Sequence, residues 1–217
     1  MKKYTTVLFD LDGTLTDPGE GIANSVAYAL NKYGINVDDK KELYKFIGPP
    51  LYESFSSFYG FSEEKAREAI TFYREYYKEK GINECKLYDG IKELLQGLKN
   101  AGYKISLATS KPEIFAHRVL DNYGIHSYFD FIGAATTDEK TRSTKEQVIE
   151  YVLASLNVTD TSKLVMIGDR LFDINGAKQF GIDSIGVTFG YGSYEELEKA
   201  GATYIVNTPE EIEKILL

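Results

Sequence analysis

The chain has 217 residues, of which 43% are hydrophobic and 27% charged, with a formal net charge of -8. That length and composition suit one full globular core, or one core carrying a smaller inserted unit. Lys and Arg are scattered among Asp and Glu, so the acidic balance excludes a nucleic-acid backbone or an anionic membrane as the expected partner, whereas a small anion stays compatible, because a metal and a few cations reverse the sign inside one pocket.

The first predicted element is a buried strand at Val7–Phe9, and it ends in two carboxylates separated by one residue, Asp10 and Asp12, followed by Gly13 and Thr14. A carboxylate at the end of a buried strand loses solvation and has to be paired, hydrogen-bonded or metal-bound. A divalent cation would satisfy both acids at once. Gly13 supplies a sharp turn without a Cβ penalty, so that the two face one cavity. The plain alternative is a strand followed by an Asx-type turn with solvated acids.

A helical stretch follows. Ile22, Val26, Ala29, Leu30 and Tyr33 recur at helical spacing before Gly34, a suitable C-cap. Asp38 or Asp39 starts a second helix through Leu43 and Phe46, which stops before Gly48-Pro49-Pro50, a helix-breaking turn. After a segment at Leu51–Tyr59, Ser62 opens an amphipathic helix with the apolar face Ala66, Ala69, Ile70, Tyr73 and Tyr77. The remainder alternates: helix Gly90–Ala101, strand Lys104–Ala108, helix Pro112–Tyr123, apolar stretch Tyr128–Ala134, helix Lys145–Ser155, strand Leu164–Ile167, helix Ile174–Phe180, strand Ser184–Val187, then a short strand Tyr204–Val206 and helix Pro209–Leu217. Such alternation predicts an α/β fold, a parallel sheet covered by helices on both faces. Residues 1–17 and 86–217 are expected to form this core and residues 18–85 an inserted all-helical domain. An insertion at that point sits over the carboxyl ends of the strands, where ligands of open α/β sheets bind, and is a candidate lid.

Two later strands also run into polar clusters. Ile105–Ala108 leads into Thr109-Ser110-Lys111-Pro112, where a hydroxyl donor and amides at a helix N-terminus favour an anion; helix capping by Ser110 is the alternative. Leu164–Ile167 leads into Gly168-Asp169-Arg170-Leu171-Phe172-Asp173, again acids directly after an apolar strand; Asp173 also reads as a first-turn helix acid. Lys145 stands at a predicted helix start, where a cation opposes the helix dipole by roughly 0.3–1 kcal/mol, so a nearby anion is expected. Lys140 is its competitor, and a solvated lysine the plain reading.

Asp10-Leu11-Asp12-Gly13-Thr14, the Thr109 segment, Lys145 and Gly168-Asp169 through Asp173 resemble, in this order, the four motifs of the haloacid dehalogenase superfamily. The resemblance covers nearly the whole α/β part. It implies a Rossmann-like core with a helical cap, with Asp10 as a nucleophile that becomes an aspartyl phosphate and Asp12 as general acid/base. Thr109 and Ser110 would bind the phosphoryl group, and Lys145 would balance its charge. Mg²⁺ would be held by Asp10, Asp12 through its main-chain carbonyl, and Asp169, a set of oxygen ligands that suits this ion. Asp173 would hold a water of the metal or fix Lys145. An acid at Asp12 disfavours the metal-independent dehalogenase branch.

The wider texture resembles the phosphoglycolate-phosphatase-like and 5′-nucleotidase-like branch, which implies a Mg²⁺-dependent phosphatase acting on a small phosphorylated metabolite. Gly48 in the turn and Arg74 on the amphipathic helix are candidate specificity residues, although each also reads as an ordinary turn residue and a solvated charge. A β-phosphoglucomutase-like mutase is the enzymatic alternative, and a regulatory binding module the non-enzymatic one. The single cysteine, Cys85, excludes an intrachain disulfide framework and fits a cytoplasmic setting. No apolar run approaches the roughly 20 residues that span a bilayer, and no signal peptide is expected. A monomer or a weak homodimer suits the sequence equally.

Overall fold

In the computed structural model, which describes residues 3–138 and 141–217, the chain opens with β1 (Thr6–Phe9), buried along its whole length. It passes through β2 (Thr16–Asp17) into α1 (Gly19–Asn31), a 3₁₀ helix at Lys40–Phe46, α2 (Leu51–Tyr59) and α3 (Glu63–Glu79), and returns through β3 (Lys86–Leu87). Strands and helices then alternate: α4 (Ile91–Asn100), β4 (Lys104–Pro112), α5 (Glu113–Asn122), β5 (Phe131–Ala135), α6 (Lys145–Ser155), β6 (Leu164–Gly168), α7 (Leu171–Gln179), β7 (Asp183–Val187), α8 (Tyr194–Ala200), β8 (Tyr204–Val206) and α9 (Pro209–Leu216). Residues up to Thr16 and from Leu87 onward form one unit, and Asp17–Lys86 another.

The first unit is built on a six-stranded sheet in the order β5-β4-β1-β6-β7-β8, with every pairing parallel. Parallel strands are covered on both faces, which explains their near-continuous apolar runs. Leu8, Ala108 and Met166 pack on Val148, Ile149 and Val152 of α6 and Ala177 of α7; each large side chain buried this way stabilises the fold by about 1.5–3 kcal/mol. Side chains alternate along a strand, so Val7 and Phe9, both fully buried, serve the opposite face. There α4 packs beside α9 and against β4.

The order of the strands positions the site. β1 lies between β4 and β6: the chain builds outward on one side through β5, then crosses back to build the other side. That reversal is a topological switch point, with a crevice beyond the carboxyl ends of the strands. Phe9 is in register with both Leu107 and Ile167, so the residues just beyond these three positions share one edge.

Four local features depart from the sequence expectation. The helix expected through Phe46 is 3₁₀ rather than α, capped by Asp39, whose carboxylate accepts from the Lys41 amide at 2.9 Å. β4 continues past Ala108 to Pro112, with irregular register against β5 between Thr109 and Pro112. α7 begins at Leu171 instead of Ile174. α8 is an additional helix, capped by Ser193, which accepts from the Glu196 amide at 3.1 Å; the Ser193-x-x-Glu196 spacing is its sequence signal.

In the second unit α1 packs on α3, and the apolar face expected for α3 is buried: Ala66, Ala69, Ile70, Tyr73 and Tyr77. Ser62 caps that helix, accepting from the Lys65 amide. The aromatic side chains make much of this core. Phe46 meets Phe55 edge-on at 5.0 Å, Phe55 stacks on Phe61 at 5.8 Å, and Tyr33 meets Phe61 edge-on at 5.0 Å. Gly48 takes φ +104° ahead of Pro49 and Pro50, and Arg74 is half-buried on α3. Among the described residues, no helix is long and apolar enough to cross a membrane.

Candidate active site

Asp10 follows β1 directly and is anchored by its own amide, which donates to the Ile167 carbonyl at 2.9 Å. The turn after it is closed by the Leu11 carbonyl, which accepts from the amides of Leu15 and Thr16. Gly13 takes φ +88° there, and a Cβ at this position would lie 2.2 Å from Asp169 Oδ2. Only glycine lets the β1 loop approach Asp169 so closely.

Lys145, the first residue of α6, is set by a capping box in which Thr144 accepts from the Gln147 amide and Gln147 returns the bond. Its buried ammonium has three N–H donors and meets three oxygens: Asp10 Oδ1 at 2.8 Å, Asp173 Oδ1 at 2.7 Å and the Ala108 carbonyl at 2.8 Å. The Ala108 contact is a hydrogen bond and the two carboxylate contacts are ion pairs. Burial by itself would lower the Lys145 pKa, but Asp10 and Asp173 outweigh it and hold the group above its ordinary value. The competitor Lys140 lies outside the described residues. Asp173 uses both oxygens, since Oδ2 accepts from the Arg170 amide at 3.1 Å; it braces Lys145 while closing the first turn of α7.

Thr109 is buried, and its hydroxyl oxygen accepts from the Lys111 amide at 3.2 Å, leaving its O–H to donate. Ser110 is half-buried and does not cap α5, whose N-cap is Pro112 with no side-chain hydrogen bond. Asp12 directs its carboxylate at Lys111, with Nζ donating to Oδ2 at 2.6 Å. Asp12 Oδ1 is buried without a hydrogen-bond partner among the described residues.

Two contributors carried no assigned role in the sequence reading. Lys111 stood inside the Thr109 motif, but its reach to Asp12 depends on the irregular end of β4. The Tyr191 amide donates to Asp169 Oδ2 at 2.8 Å, and a Cβ on neighbouring Gly190 would fall 2.5 Å from the same oxygen. A main-chain donor has no side-chain signature; the Gly190-Tyr191-Gly192 spacing was its only trace.

Asp10, Asp169 and Asp173 are all buried and present oxygens within 4.8 Å of one another. Burial raises Asp169 well above the ordinary carboxylate value, with Asp173 and Asp10 adding to the shift. Asp173 is pushed up to about 6 by burial, against the pull of Lys145. Asp12 is also raised by burial, with Lys111 opposing. Four carboxylates, Asp10, Asp12, Asp169 and Asp173, face two ammonium groups, Lys111 and Lys145, while Arg170 is paired with Glu196 at 2.9 Å. The excess of two negative charges on hard oxygen ligands fits one divalent cation of the Mg²⁺ type.

The raised pKa values set a sign for metal-free stability. The folded state keeps a proton on Asp173 up to a pH of about 6 that an unfolded chain releases near a pKa of about 3.9, so its contribution to stability falls as pH rises from about 4 through 6, and Asp169 is shifted in the same direction. Mg²⁺ requires the deprotonated form. The rise in melting temperature on adding Mg²⁺ is therefore expected to be larger at pH 7.5 than at pH 5, as measured by scanning fluorimetry. Equal rises at both values would contradict the raised carboxylates.

Comparison with known proteins follows the same lines. Residues 7–187 match the family model described as haloacid dehalogenase-like hydrolase. A 5′-nucleotidase of Pseudomonas aeruginosa is 42% identical over 93% of this chain and 90% of its own length. The tyrosine-protein kinase PtkA of Mycobacterium tuberculosis is 40% identical over 93% of this chain and 68% of its own. The crystal structure of a predicted phosphatase from Clostridium acetobutylicum superimposes with a TM-score of 0.94 at 52% identity, covering 97% of each chain. With the parallel sheet, the acidic strand ends and the buried lysine in place, the chain belongs to the haloacid dehalogenase-like hydrolase family.

Proposed function

We propose that the protein is a phosphatase that hydrolyses a small phosphomonoester through an aspartyl phosphate on Asp10. The observation that carries this reading is Lys145 held between Asp10 and Asp173 at 2.8 and 2.7 Å, beside Thr109 and Asp169 on one sheet edge. Lys145 is thereby a fixed positive charge on an otherwise acidic sheet edge, where an incoming phosphoryl group would place its oxygens. Asp10 and Asp169, with the main-chain carbonyl of Asp12, would hold Mg²⁺, which would neutralise charge on the transferred group. Thr109 donates its hydroxyl to a phosphoryl oxygen, with the Ser110 segment alongside, and Lys145 spreads the remaining charge.

In the first step an Asp10 oxygen bonds to phosphorus as the ester P–O bond breaks, and its electron pair leaves with the alkoxide oxygen, which takes a proton from Asp12. In the second, water attacks the phosphorus, its proton passes to Asp12, and the P–O bond to Asp10 breaks to release phosphate. The carboxylate of Asp10 and the protonated carboxyl group of Asp12 are thereby restored.

Of the two substrate classes, a 5′-nucleotide is favoured over phosphoglycolate by the likeness to the 5′-nucleotidase. Selectivity is assigned to the helical unit, with Gly48 and Arg74 as its candidate residues. The test is phosphate release from p-nitrophenyl phosphate, nucleoside 5′-monophosphates and phosphoglycolate. Turnover with Mg²⁺ is expected to fall at least about 100-fold in excess EDTA, and metal-independent turnover would sink the assignment. A tyrosine peptide included in the assay separates hydrolysis from transfer: label appearing on the peptide rather than in free phosphate would replace the phosphatase reading with a kinase one.

A further inference from the structure

We propose that Lys111 is a positioning residue for Asp12, fixing which of its two oxygens moves the proton. The inference rests on Asp12 acting as the acid/base. The two oxygens of this carboxylate have different surroundings. Oδ2 accepts from the Lys111 ammonium at 2.6 Å, while Oδ1 is buried and has no hydrogen-bond partner among the described residues. An oxygen that already receives a hydrogen bond from an ammonium group is a poor place for an added proton, because the ammonium stabilises the negative charge there that protonation would remove. The proton therefore sits on Oδ1, the oxygen with an unfilled position.

Lys111 is itself held in place. Its side chain is 5% exposed, its amide donates to Thr109 Oγ1 at 3.2 Å, and the register of β4 shifts between Thr109 and Pro112. An irregularity of this kind re-aims a side chain that regular pleating would send elsewhere. The same local bend thus places the Thr109 hydroxyl for the phosphoryl group and aims Lys111 at the acid. In the first step Oδ1–H gives its proton to the leaving oxygen as the ester P–O bond breaks and that oxygen takes the electron pair. In the second, Oδ1 recovers a proton from the attacking water.

A role confined to orienting the acid predicts dependence on the leaving group. p-Nitrophenolate departs without protonation, whereas the alkoxide of glycerol phosphate does not. General-acid help is worth about 10²–10⁴-fold. Lys111→Met is therefore expected to lower kcat/KM for glycerol phosphate by about 10²-fold and for p-nitrophenyl phosphate by less than about tenfold, with KM nearly unchanged for both. Lys111→Arg, which keeps a charged donor, is expected to recover part of the loss on glycerol phosphate and serves as the test if the Met variant does not fold. A similar fall on both substrates, a rise in KM alone, or no change would each overturn the proposal, the first two by making Lys111 a ligand of the phosphoryl group. Asp12→Asn measured in parallel keeps the premises apart. If that variant shows no leaving-group asymmetry, the acid role of Asp12 fails; if it does and Lys111→Met does not, the positioning role fails.

Discussion

Asp10→Asn is expected to lower kcat for p-nitrophenyl phosphate by at least about 10³-fold, because an amide cannot serve as the nucleophile. The fold should hold. An amide oxygen can still accept from Lys145, which contacts Asp10 Oδ1 at 2.8 Å, and the substitution removes one negative charge from a group that carries an excess of them. The measurement therefore pairs steady-state kinetics with the melting temperature in the absence of metal. A tenth or more of the wild-type rate would exclude Asp10 as the attacking group. Lost activity together with a collapsed melting transition would show that Asp10 holds the fold rather than the chemistry.

Lys145→Met is expected to fail in both respects. Breaking a buried ion pair from one side leaves charge uncompensated, at a cost of about 3–5 kcal/mol, and here one ammonium serves two carboxylates, with Lys145 itself 4% exposed. Losing a preorganised donor to the transferred group lowers kcat by a further 10²–10³-fold, on the order of an oxyanion-hole deletion. The stability loss should shrink at low pH, where Asp173, pushed up to about 6 in the intact protein, takes a proton more readily once its partner is gone. The double variant Lys145→Met with Asp173→Asn should recover part of the stability and none of the activity. Additive losses in urea unfolding would argue that the two residues are not coupled.

Much of this arrangement is legible in the sequence, for an identifiable reason. Asp10, Thr109 and Asp169 each follow an apolar run, and a polar residue at the end of a buried strand stands out against its surroundings. Lys145 was legible because a cation in the first turn of a helix needs an explanation. The parallel sheet followed from runs too apolar for a half-exposed strand. What escaped depended on departures from regular geometry. The reach of Lys111 follows from the register shift in β4, which leaves the pattern of apolar residues unchanged. The Tyr191 amide acts through the main chain. α8 spans seven residues, too few turns for periodicity to declare itself, so that only its cap gave notice. The stretch through Phe46 tightened to 3₁₀, a choice among hydrogen-bond patterns that share similar residues.

The placement of β1 between β4 and β6 also governs how activity arises as the chain folds. Asp10, Thr109, Lys145 and Asp169 come from four separated stretches of sequence, and all four are together only once strands from both sides have joined the central one. Ordering parallel strands requires closing long loops before their contacts repay the entropy lost. Helices can form early without bringing any two of these residues together. Enzymatic competence thus belongs to the finished sheet, and it arrives with the last strand to dock beside β1.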